Sequence, residues 1–116
     1  MALKLNAFTK EFLGLMKVVD RGCYNAFYKD CCENIEVSKA VKDAEFHLVE
    51  AVYYYDKPVK GELRKPEKVR ALAEFIKKYG NKEIVDMFKA DMEKAAYPSD
   101  ECREYTKIAL DIIGEF

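Results

Sequence analysis

Apolar residues recur about every 3.6 positions from one end of this 116-residue chain to the other, and no stretch alternates apolar with polar for more than a few residues. A chain patterned in this way buries its apolar side chains by packing helix on helix. The expectation is an all-α fold, a compact bundle of five to six short helices with no sheet, formed by residues 1–116 as one domain. At this length the chain can bury roughly two-thirds of its unfolded surface without metal or disulfide staples.

Each helix is marked by a stripe and by its punctuation. Phe8, Phe12, Leu15, Met16 and Val19 share a face after Asn6, a candidate cap, with Gly22 placed as a stop. Tyr24, Phe27, Tyr28, Cys31 and Ile35 predict a second amphipathic helix. Ser38 is placed to cap a third helix, with a main stripe of Val41, Ala44, Leu48, Val52 and Tyr55. A second stripe of Phe46, Val49 and Tyr53 lies about 100° around it. That helix is apolar over more than half its circumference, so it is either central in the fold or covered by a partner chain. Pro66 opens a fourth helix (Val69, Leu72, Ala73, Ile76) that ends at Gly80 with Lys77 and Lys78 in its last turn. Asn81 caps a fifth (Ile84, Val85, Phe88, Met92, Ala95) expected to reach Pro98, and Ser99 or Asp100 caps a sixth (Cys102, Tyr105, Ala109, Ile112, Ile113, Phe116) running to the last residue. The long connection, residues 57–65, divides the chain into two three-helix halves, 1–56 and 66–116, each too small to hold a core alone.

Charge is the least uniform property. Residues 57–82 carry nine basic groups, Lys57, Lys60, Arg64, Lys65, Lys68, Arg70, Lys77, Lys78 and Lys82, against three acidic ones, while both flanks are acidic. A chain with 20 basic and 21 acidic residues therefore carries a basic waist. With Tyr53, Tyr54 and Tyr55 just upstream, that waist has the composition of a phosphate contact beside stacking rings. The competing reading is a solvated face, since Arg70, Glu74 and Lys78 stand at pairing intervals of four and Tyr55 belongs to the core stripe. A helix-turn-helix over 73–88 fits poorly, because Asp86 falls where an apolar residue is needed and the second helix is acidic.

The four cysteines, Cys23, Cys31, Cys32 and Cys102, match none of the zinc or redox spacings, so no metal and no cofactor is expected. Cys31 and Cys102 lie on apolar faces, and Cys32 is the thiol expected in solvent. His47, the one histidine, is placed on the polar face of the third helix with Asp43, Glu50 and Tyr54 at helical intervals. A surface charge network outranks a catalytic site there, because a convex face offers no pocket. The start of the chain lacks a signal peptide and no apolar run is long enough to span a bilayer, so a cytoplasmic protein with no membrane contact is expected.

The function class that ranks first is a small non-enzymatic helical binding or assembly protein. It would contact RNA or DNA backbone through residues 57–82, using the nine basic groups and Tyr54. Second is an interaction module without nucleic acid, a homo-oligomer through Phe46, Val49 and Tyr53. An enzyme built on His47, Asp43 and Glu50, or on Cys32, ranks last.

Overall fold

In a computed structural model describing residues 5–30, 33–94 and 99–116, six α-helices form and no strand does among those residues. They are α1 (Ala7–Val19), a short α2 (Arg21–Cys23), α3 (Val37–Tyr53), α4 (Lys65–Tyr79), α5 (Lys82–Glu93) and α6 (Asp100–Ile113). Most begin where a side chain can satisfy an orphan backbone donor. Asn6 accepts from the Thr9 amide at 2.8 Å, Asp20 from Cys23 at 2.9 Å, Asn81 from Ile84 at 3.0 Å and Ser99 from Cys102 at 3.0 Å. No residue at the head of α4 caps it from within. Its first amide, Lys65 N, donates to Asp56 Oδ1 at 3.0 Å, so the preceding connection supplies the cap.

The apolar stripes meet around α3, which packs on α4 most extensively and also touches α1, α5 and α6. Phe12, Met16, Leu48, Leu72, Ile76, Phe88 and Ile113 are fully buried there. Where α1 meets α4 the filling is aromatic. Phe8, Phe12, Phe75, Tyr79 and Tyr28 stack edge-on or tilted with centroids 4.7 to 5.8 Å apart, contacts worth about 0.5–1.5 kcal/mol each beyond the area they bury. The α4–α5 turn is tight enough to need a glycine. A Cβ on Gly80 would lie 2.5 Å from the Ile76 carbonyl oxygen, a backbone atom that cannot step aside.

Several local expectations fail for identifiable reasons. Of the predicted second helix, Tyr24 to Ile35, one wide turn forms among the described residues, Tyr24–Tyr28, continuing from α2 and closed by Lys29 N on Tyr24 O at 2.7 Å. Tertiary bonds take over from there. Ile35 N donates to the buried Thr9 hydroxyl and Asn6 N to Asn34 Oδ1, which ties this segment back to the start of α1. Gly22 lies inside α2 instead of ending α1, because Asp20 stops one helix and caps the next. Helix α3 starts after Glu36, two residues ahead of its predicted Ser38 cap, and ends at Tyr53, which leaves Tyr55 outside the core stripe and 89% exposed. Gly114, at φ +71°, follows the end of α6, and Phe116 beyond it is exposed. The predicted extension of α5 through Ala95 to Pro98, and the settings of Cys31 and Cys32, lie outside the described residues.

Helix α3 is buried on more of its surface than its apolar stripes require, because Glu45 and His47 are buried too. Glu45 faces Asp91 of α5, and its Oε2 has no hydrogen-bond partner among the described residues. Burial, and then the neighbouring Asp91 carboxyl, push the Glu45 carboxyl up to about 8. A buried carboxyl beside another is tolerable while it keeps its proton and costly once it loses it. Its folded value lies above the ordinary carboxylate range, so its stabilising contribution is complete in acid and is lost as pH rises through about 8. Chemical denaturation should therefore show native stability falling by about 1.4 kcal/mol per pH unit from above the ordinary carboxylate range to about pH 8 and levelling beyond it. A Glu45→Gln variant, which stays neutral, should lack that part of the decline.

Candidate functional site

The nine basic groups of the waist do not form one surface. Lys65 is 7% exposed, its Nζ donating to the Tyr54 carbonyl at 3.1 Å, lying 3.4 Å from Glu101 and sitting over the Tyr105 ring. Arg64 grips Asp56 through two nitrogens, at 2.9 and 3.0 Å, and that guanidinium holds the Asp56 carboxyl below its ordinary range. Lys68 pairs with Glu62 at 3.0 Å, Lys78 with Glu11 at 2.8 Å and Lys82 with Asp86 at 3.4 Å. The hydrogen bond to Lys78 lowers the Glu11 carboxyl in turn. Among the described residues, Lys57, Lys60, Arg70 and Lys77 have no carboxylate partner. Arg70 and Lys77 flank Glu74 on the exposed side of α4, whereas Lys57 and Lys60 stand on the connection, Lys57 over the Tyr55 ring at 5.9 Å.

The connection is fixed where it crosses the molecule. Glu62 reaches inward and is the hub: Oε2 accepts from Arg21 N at 2.8 Å, and Oε1 accepts from Val59 N at 3.2 Å and from Lys68. The next amide, Leu63 N, donates to Val18 O at 2.7 Å. Gly61, at φ +94°, makes the turn that aims Glu62 inward. These bonds hold residues 54–64 over the α1–α2 junction and roof a cleft of about 300 Å³ between that junction and the end of α3. Asp20, His47, Glu50, Tyr54, Tyr55 and Lys57 line it.

His47 forms the cleft floor, at 7% exposure, in contrast to the exposed polar face expected from helical spacing. The reason is tertiary: the α1–α2 junction packs against that side of α3. His47 Nδ1 lies 2.8 Å from the Asp43 carbonyl oxygen, which can only accept, so Nδ1 carries a proton. Nε2 points at Asp20 Oδ2, 3.2 Å away. Asp20 thus divides its oxygens, Oδ1 capping α2 and Oδ2 facing the imidazole. Cys23 completes the group, with its Sγ, a ring nitrogen of His47 and an Asp20 oxygen all within 4.8 Å of one another. Burial, followed by the charges of Asp20, Asp43 and Glu50, pushes the Cys23 thiol up. The Tyr28 hydroxyl donates to Asp43, and burial and that bond hold Tyr28 well above its ordinary value. Asp43, which spacing grouped with His47, thus reaches it through its backbone carbonyl while its side chain serves Tyr28. Sequence spacing could not join Asp20 and Cys23 to His47, since the pairing spans 27 residues and depends on how α1 ends.

The residues proposed for self-association divide. Phe46 is 56% exposed and Tyr53 is exposed, whereas Val49 packs partly against the core. No described helix is long and apolar enough to cross a membrane. Compared with protein-family models, curated proteins and solved structures, the chain matches none of them.

Removing the hub should show how much the roof of the cleft depends on it. Glu62→Ala strands the Arg21 amide and the Lys68 ammonium and should cost about 2–3 kcal/mol in urea denaturation. Lys60→Ala, on the same connection, should change stability by less than about 0.5 kcal/mol.

Proposed function

We propose that the protein is a small non-enzymatic binding protein that takes a short single-stranded nucleic-acid segment across the rim of the cleft. Tyr54 and Tyr55 are its stacking platforms, and Lys57 and Lys60 are its phosphate contacts. One observation carries this reading: the two rings are 62% and 89% exposed beside cations that have no carboxylate partner among the described residues. Large exposed rings next to cations that have no carboxylate partner among the described residues suit a base and its phosphate, and stacking of this kind is worth about 1–3 kcal/mol per base. The footprint is smaller than the nine-residue waist suggests, because Arg64, Lys65, Lys68, Lys78 and Lys82 are engaged with carboxylates of this chain. The carboxylates of Asp20 and Glu50 inside the cleft keep a phosphate at the rim.

Fluorescence anisotropy with mixed-sequence single-stranded oligonucleotides at low salt tests it. Two neutralised phosphates give a log–log salt slope of about −1.4, far shallower than the full waist would give. The Tyr54→Ala, Tyr55→Ala double variant should bind at least about tenfold more weakly. No binding at low salt up to about 100 µM protein, or unchanged binding by that variant, would reject the reading.

A further inference from the structure

We propose that Asp20, Cys23 and His47 form a binding site for a divalent transition-metal ion, of which zinc fits the donors best. Two of its three ligands, Asp20 and His47, line the cleft, and the site is independent of any nucleic-acid contact at the rim. The three side chains offer one carboxylate oxygen, one sulfur and one imidazole nitrogen, a set that suits zinc or cobalt and not magnesium or calcium, which take oxygen ligands.

The geometry is close to what such an ion imposes. Bonds of about 2.0–2.3 Å in a tetrahedron set ligand atoms roughly 3.3–3.6 Å apart. Nε2 and Oδ2 are 3.2 Å apart, and one donor atom from each of the three residues falls within 4.8 Å of the others, so side-chain movement of about an ångström closes the set. The supporting bonds have the form of a metal site as well. Nδ1–H is anchored on the Asp43 carbonyl, which fixes the ring and turns Nε2 toward Asp20, the outer contact that metal-bound imidazoles ordinarily make. The Cys23 amide holds the other Asp20 oxygen, so two of the three ligands are positioned by one hydrogen bond at the start of α2.

Nε2 and the carboxylate oxygen it faces are 3.2 Å apart, two donor atoms already brought together. The thiol within reach of both distinguishes this place from an ordinary histidine–aspartate pair. Coordination releases the Cys23 thiol proton, and any proton on Nε2, to solvent, and forms bonds from Sγ, Nε2 and the Asp20 carboxylate to the ion. Three protein ligands leave a fourth position, filled by water or a ligand from the cleft that Asp20 and His47 line.

Cobalt(II) is the probe, titrated under reducing conditions into the native chain and followed by absorption. The expected result is saturable uptake of one equivalent, with a sulfur-to-cobalt charge-transfer band and tetrahedral visible bands, all removed by one equivalent of zinc. Cys23→Ser should abolish the charge-transfer band, and His47→Gln should weaken uptake at least about tenfold. Asp20→Asn guards against misfolding as the cause of a loss, because asparagine keeps the α2 cap while losing the ionic ligand. It should show native circular dichroism with uptake weakened about tenfold or more. Absence of uptake by the native chain, a charge-transfer band that persists in Cys23→Ser, or native affinity in Asp20→Asn would each overturn the site. A proton at Nε2 would then be all that joins His47 to Asp20.

Discussion

Helix α3 buries its main apolar stripe and a polar residue on either side of it, leaving one face with Lys42, Phe46 and Tyr53 exposed, and the rest of the chain is arranged around the buried part. Its main stripe meets α4, Glu45 faces Asp91 on α5, and His47 is shut under the α1–α2 junction. The two polar contacts differ in kind. Glu45 is tolerated because it can keep its proton, whereas His47 is held through Nδ1–H by a carbonyl of its own helix, with Nε2 turned to Asp20. A helix that buries polar groups on two flanks specifies its neighbours more tightly than apolar packing alone, since each buried group accepts few partners.

Having to roof that junction determines the chemistry of the connection. Glu62 and Asp56, acidic residues in or beside the basic stretch, hold it in place. One ties it to Arg21, and the other caps α4 and grips Arg64. Much of the positive charge between residues 57 and 82 thus belongs to the internal wiring of the fold. Among the described residues, the cations without a carboxylate partner are Arg70 and Lys77 on α4 and Lys57 and Lys60 on the connection, the latter two beside the exposed rings of Tyr54 and Tyr55 at a cleft that Asp20 and Glu50 also line.

Where local chemistry decides, the sequence was legible. Asn6, Asn81 and Ser99 cap the helices they were expected to cap, and Gly80 ends α4. The apolar spacing located the fully buried Phe12, Leu48, Leu72, Ile76 and Phe88. Where a distant contact competes with local preference, legibility ends. The apolar spacing of Tyr24 to Ile35 is helical, yet Thr9 and Asn6 bond the end of that segment in another conformation. His47 has polar neighbours at helical intervals, which reads as a surface, but its partner is 27 residues away. Lys65 and Lys68 are basic residues in a basic run, and nothing local tells that Glu101 and Glu62 engage them. For the site, the residue types were visible and their assembly was not, because Asp20 enters only through the way α1 stops.

Since the chain has one histidine, the arrangement of the α1–α2 junction over α3 can be read from a single imidazole ring. Long-range proton–nitrogen correlation NMR at neutral pH, with metal removed, is the most direct measurement. The account expects a proton on Nδ1, bonded to the Asp43 carbonyl and protected from exchange, with that protection lost in Asp20→Ala. A ring in which Nδ1 is bare, Nε2–H exchanges freely with water, and Asp20→Ala changes nothing would contradict it.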